Sequence, residues 1–141
     1  SITLHQGGKV ITTNDVECKD LIASENINCK NGYSNPKTDG LKTDINISNN
    51  NIYHFNDESG DFIITNATNI GQSGHIIITN GGASKLVINM VCKKPDGVNF
   101  VLLKWYQGNA YTGVEVGNTD IISYYVLSED ILLMNFSEGY A

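Results

Sequence analysis

Gly71-Gln72-Ser73-Gly74-His75-Ile76-Ile77-Ile78-Thr79-Asn80-Gly81-Gly82 decides the fold of this chain. A glycine-rich turn leads into three consecutive isoleucines, and an Asn-Gly-Gly turn ends the run. Isoleucine is stiff at χ1 and suits a pleated strand. Glycine and asparagine supply the left-handed backbone that tight turns require. The unit is a short strand between two turns, and it recurs in both directions along the chain. Upstream, Ile63-Ile64-Thr65-Asn66 echoes Ile77-Ile78-Thr79-Asn80, one strand-and-turn recipe used twice. Downstream, Asp120-Ile121-Ile122-Ser123-Tyr124-Tyr125-Val126 is followed by a tight turn and Ile131-Leu132-Leu133-Met134-Asn135-Phe136.

Turn residues and short apolar runs predict strands over residues 51–56, 61–66, 75–80, 85–92, 98–104, 120–127 and 130–136. No window keeps a helical period for three turns, so little helix is expected. Residues 76–78 and 100–103 are too continuously apolar for a sheet with one wet face. They suit sandwich-core strands or strands covered by a subunit contact. The expectation is an all-β chain: an antiparallel β-sandwich or jelly-roll-like domain over residues 48–141. Residues 1–47 read as an extended N-terminal arm or small β segment. Their apolar residues come in short bursts, with alternation in Asp44-Ile45-Asn46-Ile47-Ser48. Such a stretch buries too little apolar area to offset the ordering entropy of its backbone. It is expected to pack on other chains.

The composition excludes several classes. At 141 residues and 40% apolar the chain has material for one domain with a real core, while 17% charged is low. A net charge of −6 gives no basic footprint for nucleic acid. All nine basic residues are lysines, so no guanidinium fork is present for bidentate phosphate contacts. No segment reaches the roughly 18–20 continuous apolar residues of a membrane helix. Ser1 to Val10 carries Gly7 and Gly8 and lacks the apolar centre of a signal peptide, so synthesis in a cytoplasm is expected. The three cysteines, Cys18, Cys29 and Cys92, form no C-x-x-C pair and no disulfide framework. Cys92 closes an apolar strand and reads as a buried, inert thiol.

Candidate chemistry is sparse. His5, His54 and His75 lie in separate elements without metal-ligand spacing. Asp57, Glu58 and Asp61 read as a solvated acidic turn and miss the calcium-loop pattern. No G-x-S-x-G elbow or nucleophile–base pairing is present. The expectation is therefore no enzyme, no cofactor and no metal. The three Asn-x-Ser/Thr matches, at Asn46, Asn66 and Asn135, are those expected by chance in an asparagine-rich chain. The aromatic group of Trp105-Tyr106, Tyr111 and Tyr124-Tyr125 is the most notable, and Trp105, Tyr106 and Tyr111, set in a Gly/Asn-rich stretch, are the candidate contact site. Tyrosine offers a large rigid face with one polar handle, which suits saccharide stacking or a subunit contact. Tyr124 and Tyr125 must point to opposite faces of their strand, one of them into the core.

Two of these pieces carry a resemblance. The turn Gly71-Gln72-Ser73-Gly74 entering its strand, followed by Asp120-Ile121-Ile122-Ser123-Tyr124 and a last strand ending at Asn135-Phe136, resembles the small β-domain that closes many structural proteins of tailed bacteriophages, marine ones especially. In that family a G-Q-[ST]-G turn enters a strand, and a D-[IV]-[IL]-S-[YF] strand pairs with a final strand ending near Asn-Phe. The resemblance spans residues 71–136, about half the chain. It implies a non-enzymatic virion protein: a capsid-decorating protein or a short surface spike or fibre, assembled as a homotrimer on the virion surface. Residues 1–47 would then meet the major capsid protein or other virion proteins. The alternative is a tail-fibre tip that binds host surface glycan through Trp105, Tyr106 and Tyr111. The family commonly places a Trp and a Gly-Gly-x-x-Pro turn in this stretch. Tyr106-Gln107-Gly108-Asn109-Ala110 lacks the proline, so the family's loop geometry is not carried over.

Overall fold

A computed structural model describes residues 36–141. Its strands are β1 (Pro36–Lys37), β2 (Ile45–Asn46), β3 (Ile52–Asn56), β4 (Gly60–Thr65), β5 (Ser73–Thr79), β6 (Leu86–Lys93), β7 (Phe100–Trp105), β8 (Gly113–Val114), β9 (Thr119–Ser128) and β10 (Ile131–Tyr140). Among the described residues the only helical element is a 3-10 turn at Tyr106–Gly108. The described residues are all-β apart from that turn, and each of the seven expected strands is present within a few residues of its predicted limits.

The pairing differs from the antiparallel expectation. The ten strands form one mixed sheet, ordered β1-β3-β5-β9-β10-β7-β6-β4-β2, with β8 on β6. Alternate strands build two parallel ladders: β1, β3 and β5 on one side, and β2, β4 and β6 on the other. The chain thus steps from one ladder to the other at each connection, a solenoid-like arrangement. The strands after β6 close it. β9 runs antiparallel to β5, β10 antiparallel to β9, and β7 joins β10 to β6.

Local chemistry explains the crossing. Three residues separate β3 from β4, yet the two do not pair. Asp57 and Gly60 take left-handed φ values of 56° and 92° and turn the chain across to the opposite ladder. The Asp57 carboxylate accepts the Gly81 N–H at 2.6 Å, tying that corner to the next turn. Asn80 is completely buried and fully engaged. Its amide donates to the Ser84 and Val114 carbonyls at 2.9 and 3.1 Å and accepts from Gly82 N–H at 3.0 Å. The echoed Ile-Ile-Thr-Asn pieces therefore end differently: Asn66 bends through φ 56°, whereas Asn80 pins a buried turn.

One core fills the space between the ladders. Ile45, Ile47, Phe62, Ile64, Ile76, Ile78, Ile122, Val126 and Leu132 are completely buried in a single cluster. Phe55 of β3 meets Phe62 of β4 edge-on, with ring centroids 5.2 Å apart, so the two ladders face each other. The inward positions alternate along β5, β6 and β9, as the pleat requires. Within the expected arm, Ile45 and Ile47 belong to this core. The rest of that expectation, residues 1–35 with His5, Cys18 and Cys29, lies outside the described residues.

Gly74 shows why the turn entering β5 is written with glycine. A Cβ there would lie 2.0 Å from the Asn51 carbonyl oxygen and 2.3 Å from the Tyr124 hydroxyl. Only a residue without a side chain lets β3, β5 and β9 approach at that point.

Candidate functional site

The sequence candidates separate in the structure. Trp105 ends β7, half-buried, its ring packed edge-on against Phe136 with centroids 6.0 Å apart. Tyr106 follows it in the 3-10 turn and is 64% exposed. Tyr111 is a core residue, 3% exposed, with its ring against Phe136 and its hydroxyl donating to buried Asp120 at 2.8 Å. Asp120 also accepts the Gly139 N–H at 2.9 Å. Burial and the neighbouring Asp120 carboxylate together push the Tyr111 hydroxyl far above its ordinary pKa. Tyr111 therefore supports the wall from behind and is out of reach of any ligand at Tyr106.

Trp105 and Tyr106 line a shallow open groove of about 360 Å³ with Lys104, Ser123, Tyr125 and Asn135. Register builds it. Across β7, β10, β9 and β5, Lys104 stands opposite Leu133, Leu133 opposite Tyr125, and Tyr125 opposite Ser73. In the next row on the same face, Asn135 stands opposite Ser123 and Ser123 opposite His75. His75 Nδ1 lies 3.0 Å from the Ser123 hydroxyl oxygen. Tyr125 is 44% exposed, and its neighbour Tyr124 is buried at 2%, the division that strand alternation demands. Tyr124 donates to the Asn51 carbonyl at 3.1 Å, and burial raises its pKa.

The groove offers two exposed phenol rings, one leucine, an amide, a hydroxyl and an ammonium group. That set can stack an apolar face and exchange hydrogen bonds along its edge. Tyr125 belonged to the aromatic group that the sequence offered, whereas Leu133 and Asn135 did not. The three lie 19 to 29 residues from Tyr106, and only the β7–β10–β9 register assembles them.

Other sequence candidates have ordinary roles. The Asp61 carboxylate accepts from the Asn89 amide at 3.0 Å, on the opposite ladder from Asp57 and its Gly81 contact. Among the described residues no three His, Cys, Asp or Glu side chains gather where a metal ion could sit. Cys92 is a free, buried thiol, its pKa pushed up to about 12 by desolvation. A second hollow, of about 390 Å³ and lined by amides, lies beyond Ser73.

Comparison with known proteins returns no match, whether to a family model, a curated protein or a solved structure.

Proposed function

We propose that this chain is a non-enzymatic structural and adhesion module of a bacteriophage particle, whose groove beside Tyr106 takes a saccharide of the host surface. One observation carries the binding part: Tyr106 and Tyr125, 64% and 44% exposed, flank Asn135 and Ser123 in one groove. Two large rings left in water over one groove suit a contact site. The apolar face of a sugar ring stacks on such rings while its hydroxyls bond to amide and hydroxyl groups. The net charge of −6 argues for a neutral ligand over nucleic acid. Placement on a virion surface, with residues 1–47 meeting the major capsid protein or other virion proteins, draws its support from the resemblance of residues 71–136.

A glycan array of bacterial surface polysaccharides tests the binding. The wild-type chain is expected to register a subset of them. Tyr106→Ala and Tyr125→Ala are each expected to weaken that binding about tenfold or more, with an unchanged circular dichroism spectrum. A blank array, or binding indifferent to both substitutions, would remove the saccharide reading.

A second reading, self-association as a homotrimer, has its own observation. Phe100, Leu102 and Leu127 are 59%, 56% and 46% exposed on the same outer face as the groove. Such a strip suits a subunit contact. Light scattering is expected to give about 46 kDa, three times the 15.4 kDa chain. A mass of one chain would remove the trimer.

A further inference from the structure

The aromatic groove does not end at Tyr125. Ser73 stands directly opposite Tyr125 in the β5–β9 ladder, and both side chains are exposed on the same face. Ser73 is also a wall of the second hollow, about 390 Å³, which residues 48–51, Asn69 and Gln72 complete. The two hollows share a rim made of one cross-strand pair. Each falls near the lower end of the roughly 300–1,000 Å³ of small-molecule sites.

Their chemistry is complementary. The groove is aromatic and aliphatic with polar groups on its edge. The hollow is almost wholly amide and hydroxyl, with no charged side chain among its lining residues. Gln72 donates its amide N–H to the Ile47 carbonyl. Amides both donate and accept, as a neutral sugar unit requires. The row of Lys104, Leu133, Tyr125 and Ser73 crosses four neighbouring strands, a span of about 14 Å at about 4.8 Å per strand.

We propose that the groove and the amide hollow are two subsites of one extended site, and that its ligand is an oligosaccharide and not a single sugar. The saccharide chain runs across the strands, stacks on Tyr106 and Tyr125, passes over the Ser73–Tyr125 rim, and places a neutral hydroxyl- or acetamido-bearing unit in the hollow. This deepens the saccharide reading of the groove and rests on it.

The test takes the polysaccharide that registers on the array and titrates its fragments, one to six units long, into the full chain by calorimetry. Affinity is expected to climb about tenfold or more between one unit and three or four, as the second subsite is engaged. Ser73→Tyr plugs the rim with a residue that strands accept readily. It is expected to abolish the gain with length, and Asn69→Ala to reduce that gain several-fold. Affinity that stays flat with length in the wild type, while Tyr106→Ala still abolishes binding, overturns the extended site and leaves the groove reading standing. A gain with length that survives both Ser73→Tyr and Asn69→Ala also overturns it. Failure of every fragment to bind removes the groove reading and this inference together.

Discussion

The two parallel ladders and the antiparallel strands that close them use the same residue types and treat their outer faces in opposite ways. On the ladders, Ile63 of β4 stands opposite Val91 of β6, and both are half-buried. At the seam with the closing strands, Ile77 of β5 stands opposite Ile121 of β9, again half-buried. Stacked apolar positions cover themselves. On β7, β9 and β10 the outward positions Phe100, Leu102, Tyr125, Leu127 and Leu133 remain 37–59% exposed. There the register sets Leu133 against Lys104 and Tyr125, which leaves a trough. The ladders cover their outer apolar positions, and the closing strands leave theirs in water. Val87 on β6, 65% exposed, is the exception on the ladder side.

The broadest way to strain this division is alkali, because both regions share one core. Cys92 in the ladders and Tyr111 and Tyr124 beneath the closing strands all have pKa values raised by burial. The unfolded chain would lose these protons first, so their contribution is complete below the unfolded values and disappears as pH rises. For Cys92 the window opens near 9.0 and extends to about 12. Thermal melts are expected to be level up to about pH 9 and then fall steeply, with one transition throughout. Two separate transitions would break the single-core description.

Substitutions within the ladders come next. Phe62→Ala removes the ring that Phe55 meets across the two ladders and is expected to cost about 3–5 kcal/mol in urea unfolding. Gly74→Ala drives a methyl group into the Asn51 carbonyl and the Tyr124 hydroxyl, for an expected loss of about 2–3 kcal/mol. In the closing strands, Tyr111→Phe leaves the buried Asp120 carboxylate short of one donor, an expected loss of about 1–3 kcal/mol. The smallest effect is expected at the groove itself. Tyr106→Ala should change stability by no more than about 0.5 kcal/mol, since the residue is exposed. A large loss there would make Tyr106 structural and erase the contrast between the two regions.

The strands were legible in the sequence, and their partners were not. Glycine, asparagine and β-branched residues mark where strands start and stop, and the Gly71-Gln72-Ser73-Gly74 turn does lead into a strand, which begins at Ser73. Side-chain alternation is the same in parallel and antiparallel strands, so it says nothing about which neighbour a strand takes. Consecutive strands usually pair, which favoured hairpins. The short link between β3 and β4 instead crosses to the other ladder, because Asp57 and Gly60 adopt left-handed conformations that composition alone does not reveal. The site was half visible. Trp105 and Tyr106 sit together in sequence and in space. Tyr111 shares their Gly/Asn-rich surroundings but is drawn inside by Asp120, nine residues on. Tyr125, Leu133 and Asn135 join the groove only through strand register.

The most direct test of the division between stacking ladders and contact-bearing closure is an NMR titration of the ¹⁵N-labelled chain with the polysaccharide fragment that binds best. Amide shifts are expected to concentrate at Trp105 and Tyr106, Ser123 to Tyr125 and Leu133 to Asn135, continuing through Ser73 into residues 48–51, with β4 and β6 silent. Shifts centred on β4 and β6, or spread evenly over both ladders, would contradict it.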